Sequence, residues 1–285
     1  MTVDGLGIEN NRQVTRLKWH RLRRSLADPE FGTDVMAAGY LLGASMELDL
    51  NVRGDSGFVV LHDATLDRET TGQGAVSGMT GSELATITYR QSGLPLILSE
   101  TLAQMMTNAH PDALLQFDMK DDLAAVGARG VDHLADLFGQ SSGRIIFSGG
   151  STALIRGLAE RLPHVPRGID PTDRLVETFR TRGIAAAEAA LIAELRDGTD
   201  PDTCYLNWEL LLAAKQRGSD LVALCRSEGV KLDAWTYTLS APNQGFTDAE
   251  WVEFQALMAL CPDQITTDES RATEAAWRAR VDKGA

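Results

Sequence analysis

His20, Arg21, Glu47, Asp49, His62, Asp118 and Lys120 are the residues of this chain whose types and spacing could do chemistry together. Glu47 and Asp49 stand two apart in Met46-Glu-Leu-Asp-Leu50, so on a strand they share one face while the leucines take the other. Asp118 and Lys120 repeat that spacing. A charge on an otherwise apolar strand is costly unless it is paired or holds a metal. Glu47 and Asp49 could pair with Arg or Lys in an ordinary salt-bridge layer. Three carboxylates converging from neighbouring strands, with two histidines beside them, favour instead a hard-cation site for one Mg2+ or Ca2+ ion, both of which take oxygen ligands. Zinc is disfavoured, because no cysteine- or histidine-rich spacing accompanies them. His20 and His62 each stand beside a charged residue, Arg21 and Asp63, which suits a general acid and a general base on opposite sides of a scissile bond. Arg21 and Lys120 supply positive charge; each could be a salt-bridge partner, or Arg could grip two phosphate oxygens while Lys acts as a point charge. A cation site, two bases and two positive side chains around one point read as phosphoryl chemistry, with water or a hydroxyl as nucleophile.

The elements that must position these residues alternate short apolar runs with longer helical patterns. Strands are expected over Arg16–Trp19, Ser45–Asn51, Ala113–Asp118, Arg144–Phe147, Val165–Ile169, Cys204–Asn207, Val230–Tyr237 and Asp263–Thr266. Helices are expected over Thr33–Leu42, Glu100–Ala109, Leu123–Phe138, Thr152–Arg161, Asp173–Thr181, Ile184–Arg196, Ser219–Glu228 and Asp248–Leu260, several followed by a stop such as Gly43, Gly183 or Pro262. Eight such units suit an α/β fold of the (β/α)8 TIM-barrel class. An open doubly wound sheet would usually offer a glycine-rich phosphate loop after its first strand, and the chain has His-Arg-Leu-Arg-Arg there. In a barrel the site forms at the C-terminal strand ends, where His20, Asp118, Asn207, Trp235 and Asp268 all fall. Val59–Leu61 reads as the return strand of a hairpin turning at Gly54–Gly57. Ala64 to Ser92 breaks the alternation and reads as a small insertion beside the mouth. One catalytic domain over 14–270 is expected, with an N-terminal extension over 1–13 and a helical tail over 271–285. His110, His133 and His164 fall on or beside helices and are expected at the surface.

Composition narrows the partners. The chain has 285 residues, 27 basic and 40 acidic, for a formal net charge of −13. That balance argues against duplex nucleic acid, which needs a concentrated basic face. A small anionic ligand is still admissible, since a metal or a local Arg/Lys pair can reverse the sign inside one cleft. The 3 cysteines are widely spaced and read as reduced thiols. The start has no apolar leader, and no apolar run approaches the roughly 18 residues needed to span a membrane. A cytoplasmic protein without stable membrane insertion is expected; a homo-oligomer is compatible with all of this.

These same residues carry a family resemblance. The chain resembles the glycerophosphodiester phosphodiesterases, a TIM-barrel group, in His20-Arg21, Pro29-Glu30, Met46–Leu50, Val59-Val-Leu-His-Asp63, Leu66–Gly74, Thr80, Glu83-Leu84, Glu100-Thr-Leu102 and Phe117-Asp-Met-Lys120. Pro95–Leu98 matches more loosely, and Gly229–Thr236 and Asp263–Asp268 support the likeness. The resemblance implies His20 and His62 as the acid/base pair, and Glu47, Asp49 and Asp118 as ligands of one divalent cation, Mg2+ or Ca2+. Arg21 and Lys120 would hold the phosphate, and Trp235 would line the substrate cleft. It implies hydrolysis of a small-molecule glycerophosphodiester to glycerol 3-phosphate and an alcohol. Sugar, opine or lysophospholipid diesters, or binding without cleavage, are the alternatives. Three departures bear on the substrate. Leu22 stands where the family has glycine, Phe31-Gly32 replaces a polar pair, and Asp118 replaces a glutamate, as in the related sphingomyelinase D-type phospholipases.

Overall fold

The computed structural model describes residues 3–10, 13–106, 109–141 and 144–284; residues 107 and 108, within the helix expected over Glu100–Ala109, lie outside them. Its strands are, in chain order, β1 (Gly7–Asn10), β2 (Gln13–Trp19), β3 (Ser45–Val52), β4 (Phe58–Val60), β5 (Leu114–Met119), β6 (Ile145–Gly149), β7 (Gly168–Ile169), β8 (Thr203–Asn207), β9 (Lys231–Trp235) and β10 (Gln264–Thr267). All eight expected strands are present, β7 much shortened. β1 is additional: it pairs antiparallel with β2, and its one fully buried side chain is Ile8, too little alternation to read as a strand from sequence.

The chain forms two compact units, one of Met1–His20, Arg24–Ala27 and Gly168–Ala285, the other of Arg21–Arg23 and Asp28–Arg167. In the first, β2, β10, β9, β8 and β7 are successive parallel neighbours. Their register sets Thr266 opposite Lys18 and Gln264 opposite Asp233. Lys18 Nζ lies 2.7 Å from Asp233 Oδ2, and the Thr266 hydroxyl donates to Asp233 Oδ1 at 2.7 Å. The Gln264 amide donates to the same carboxylate, and the Lys18 ammonium sits 4.4 Å from the centre of the Tyr205 ring. A buried ion pair is tolerable because its lone pairs and protons are satisfied in this way.

In the second unit, β3 lies between β5, its parallel neighbour, and β4, its antiparallel one, with β6 beyond β5. The β3–β4 hairpin turns at Gly54–Gly57 as expected. A Cβ at Gly57 would meet the Arg53 guanidinium at 1.8 Å, so only glycine lets Arg53 cross the turn to Glu100 at 2.7 Å. Leu48 sits opposite Phe117, whose ring packs edge-on against Phe138 at 4.9 Å and Phe147 at 5.5 Å. The Ala64–Ser92 segment is not a loose loop. It buries Leu66, Val76, Leu84 and Tyr89, and its Thr65 and Thr70 bridge to Ala75 and Tyr89.

Helices begin where side-chain oxygens can accept the first free N–H groups. Asp122 accepts from Ala125 N at 2.9 Å, and Asp220 from Ala223 N at 2.9 Å. The helix over Leu123–Phe138 has the expected bounds but is interrupted at Gly127, with φ 60° and ψ 176°. A helix over Trp208–Gln216 was not expected, because Asn207 both ends β8 and caps the next turn, accepting from Leu210 N at 3.0 Å. The chain closes in a helix over Ser270–Gly284.

The helix Asp248–Ala259 starts in a full capping box, with Thr247 accepting from Glu250 N and Glu250 accepting from Thr247 N at 2.8 Å. Partial burial works upward on Glu250, but hydrogen bonds from Ser240 and Thr247 outweigh it and push its carboxyl down to about 2. A carboxyl whose value is lower when folded stabilises fully above its unfolded value of about 4.3 and loses that contribution as pH falls toward 2. Glu250→Gln is therefore expected to lower the urea midpoint at pH 7 and to leave it close to wild type near pH 2.

Candidate active site

The parallel register of β3 and β5 sets Asp49 directly opposite Asp118, with Glu47 two residues earlier on the same face as Asp49. Oxygens of the three carboxylates lie within 4.8 Å of one another. Glu47 and Asp49 are 4 % and 1 % exposed, and Asp118 is half-buried. Lys120 joins them: its ammonium lies 2.7 Å from Asp49 Oδ1 and also bonds Asp118. Its backbone N–H donates to Leu50 O at 3.0 Å, which carries the β3–β5 ladder one step past the strand. Burial opposes both charges. On Asp49, Lys120 and Arg21 outweigh it and hold the carboxyl below the usual carboxylate range. On Lys120, Asp118, Asp49 and Glu47 outweigh it and hold the ammonium well above the usual lysine range.

Arg21 and Leu22 both adopt left-handed backbone, φ 50° and 54°, and Phe31 does so at φ 57°. Such a conformation costs a non-glycine residue of order 1–2 kcal/mol. The turn therefore keeps a glycine-type conformation although Leu22 occupies the glycine position; Leu22 and Phe31 are both buried, which offsets the strain. The turn is tied by Phe31 N donating to Arg21 O at 2.8 Å. It aims Arg21 at the carboxylates: its backbone N–H donates to Glu47 Oε2 at 2.8 Å, and Nε lies 3.3 Å from Asp49 Oδ2. Glu30 holds the outer edge of the guanidinium at 3.0 Å and also pairs with Arg23 at 3.2 Å.

His62 is held by the strand it follows. Leu61 N donates to Asp49 O at 3.1 Å, and the Asn51 side-chain amide donates to the carbonyls of Leu61 and His62. His62 Nδ1 lies 2.9 Å from Asp63 Oδ1. Asp63 also takes both arms of Arg68 at 2.6 Å, which with His62 hold its carboxyl far below the usual range. An ionised carboxylate can only accept, so Nδ1 carries a proton in this pair and Nε2 is the ring nitrogen not committed to it. Glu69 accepts from His62 N at 3.1 Å, and burial pushes its carboxyl up. His62, Asp63 and Glu69 are close enough to surround an ion, but Arg68 already pairs with both carboxylates.

His20 and Trp235 belong to the other unit, His20 being joined to Arg21 through the peptide bond. His20 repeats the arrangement of His62: its Nδ1 lies 2.8 Å from Asp268 Oδ1, and the Thr238 hydroxyl donates to Asp268 Oδ2 at 2.9 Å. Trp235 ends β9 opposite Asn207, half-buried, with its indole Nε1 buried and, among the described residues, without a hydrogen-bond partner. The carboxylate cluster suits a hard divalent cation. Its donors are all oxygens, and among the described residues the buried Asp49 Oδ2 makes no hydrogen bond, facing only the Arg21 Nε at 3.3 Å, so it keeps lone-pair capacity that a metal would satisfy.

The sequence model of the glycerophosphoryl diester phosphodiesterase family matches residues 34–271. The chain belongs to that family. This phosphodiesterase is accordingly a phosphoric diester hydrolase. Its fold is shared with a candidate glycerophosphoryl diester phosphodiesterase of Silicibacter pomeroyi DSS-3, at 17% identity and a TM-score of 0.71, covering 99% of this chain and 97% of that one. A candidate member from Agrobacterium tumefaciens str. C58 gives 19% identity and a TM-score of 0.68, covering 94% and 99%. An Oleispira antarctica phosphodiesterase, solved with its product sn-glycerol-3-phosphate, gives 15% and 0.67, covering 92% and 96%. Likeness at these identities shows the fold, the (β/α)8 class expected from eight strand–helix units. No curated protein matches the chain by sequence.

The phosphodiesterase thus has Arg21, Glu47, Asp49, His62, Asp118 and Lys120 in one unit, and His20 and Trp235 in the other. Sequence reasoning passed over Glu30, Arg68 and Glu69, although all three lie inside the stretches that carry the family resemblance. His133 corrects an expectation: it is not a surface residue but half-buried, with Nε2 2.8 Å from the buried Ser99 hydroxyl. Among the described residues no helix is long and apolar enough to cross a membrane.

Proposed function

We propose that this phosphodiesterase hydrolyses glycerophosphodiesters to glycerol 3-phosphate and an alcohol. The observation that carries the reading is the meeting of both charge signs at one buried point: Asp49 touches Lys120 and lies against Arg21, with Glu47 and Asp118 alongside. Glu47, Asp49 and Asp118 would hold Mg2+ or Ca2+, which when bound supplies Lewis-acid charge to a phosphoryl oxygen. Arg21 and Lys120 bind the other phosphoryl oxygens and neutralise the charge that builds on them. His20 and His62 act as the acid/base pair through Nε2, since each commits Nδ1 to a carboxylate. One takes the proton of the attacking water or substrate hydroxyl, and the other returns a proton to the leaving alkoxide. Trp235 lines the cleft, and residues 14–270 act as one catalytic domain with the Ala64–Ser92 segment as its insertion.

Incubation with glycerophosphocholine and Mg2+ or Ca2+ tests this. Equal amounts of glycerol 3-phosphate, read with glycerol-3-phosphate dehydrogenase, and choline are expected. Failure on the choline, ethanolamine and serine diesters alike, with either ion, overturns the reading.

A further inference from the structure

A cleft of about 360 Å³ is walled by Glu30, Arg68, Glu69, Arg90 and Gln91, mostly from the Ala64–Ser92 segment. Two of these residues also hold the proposed catalytic groups: Glu30 grips Arg21 at 3.0 Å, and Glu69 accepts from His62 N at 3.1 Å. The cleft therefore begins where the phosphoryl group would lie, and its size suits a small substituent rather than a chain.

Its chemistry selects among substituents. A quaternary ammonium would need an open aromatic face. The two aromatic residues at this cleft, Phe31 and Tyr89, are 1% and 4% exposed and pack against each other in a tilted pair at 5.7 Å, so neither offers one. The carboxylates of the wall are already engaged, Glu30 by Arg21 and Arg23, and Glu69 by His62 and Arg68. Arg68 is engaged by Asp63 and Glu69. Arg90 differs: its guanidinium donates to the carbonyls of Thr70 at 2.5 Å and Asp67 at 3.2 Å, and among the described residues no carboxylate pairs with it. Gln91 accepts from Glu30 N at 3.3 Å through its side-chain oxygen, leaving its amide NH2 as a donor. The unspent capacity of the cleft is thus that of a cation and a donor, which matches an anionic group.

We propose that this cleft receives the alcohol half of the diester, and that Arg90 selects alcohols that carry a carboxylate. The inference rests on the hydrolase reading above. Glycerophosphoserine and glycerophosphoethanolamine differ by that one carboxylate, so the ratio of their kcat/KM values isolates it. Both substrates are assayed on one preparation of the metal-loaded protein, so partial unfolding cancels from the ratio. The wild type is expected to prefer the serine diester by at least about 10-fold, equivalent to one charge-assisted contact. Arg90→Met brings the ratio to about one, and Arg90→Lys, which keeps a cation, retains a ratio above one. Should Arg90→Met not fold, Arg90→Gln, which can still donate to the Thr70 carbonyl, replaces it. A wild-type ratio of one or less, or a full preference surviving in the charge-free variant, overturns the inference alone. No turnover of either diester overturns the hydrolase reading, and this inference with it.

Discussion

Replacing His62 by alanine lowers kcat on a glycerophosphodiester by about 10²–10⁴-fold, and replacing His20 does the same, because general acid–base catalysis contributes on that scale. Neither change should unfold the protein. The two rings are 37% and 20% exposed, and each sets Nδ1 against a carboxylate that has a further partner, Arg68 for Asp63 and Thr238 for Asp268. Single substitutions typically cost about 0.5–3 kcal/mol of stability. If the two histidines act as a unit, one on the nucleophile and one on the leaving group, the double variant falls little below the worse single one. Steady-state kinetics with thermal melts of the same samples checks both points. Full turnover in both single variants removes the assignment.

Chelation with EDTA is expected to abolish turnover, and Mg2+ or Ca2+ to restore it. Among the described residues the buried Asp49 Oδ2 makes no hydrogen bond, and Glu47 and Asp118 supply further oxygens within 4.8 Å. An ion binding only the folded protein raises its stability by about 2.7 kcal/mol at a concentration 100 times its Kd, so the melting temperature should climb with metal concentration. Asp49→Asn keeps the shape and removes the charge, and should lose both the activity and the metal-dependent rise. Full activity in EDTA, or a melt indifferent to either ion, counts against the three-carboxylate site. The left-handed turn at Arg21 matters here too, since it sets the guanidinium 3.3 Å from the same carboxylate oxygen.

Much of the fold was legible because it is local. The strand expected over Ser45–Asn51 runs one residue further, to Val52, and the helix bounds at Thr33–Leu42 and Thr152–Arg161 follow from apolar period and from stops such as Gly43, which caps its helix at φ 75°. The misses have local causes as well. The helix Trp208–Gln216 starts at the residue that ends β8, leaving no loop to mark it, and the break at Gly127 sits inside an unbroken apolar pattern. The candidate site divides along the same line. That Glu47 and Asp49 share a face, and that Asp118 and Lys120 do, is a property of strand period and needs no fold.

The sequence by itself determined the fold class, the family likeness, and which carboxylates, histidines and cations were available to a phosphoryl site. Only the tertiary structure decided who meets whom. Strand register put Asp118 opposite Asp49, and the left-handed turn delivered Arg21 to Glu47. Folding of the Ala64–Ser92 segment brought Glu69 to the His62 N–H and left Arg90 facing a cleft without a carboxylate partner among the described residues. Most of these pairings link residues distant in the chain, and their strength depends on burial, which raises the electrostatic stake of every contact. A one-dimensional pattern carries the residue types and the local period. The distances and the dielectric that turn those types into chemistry arise only on packing.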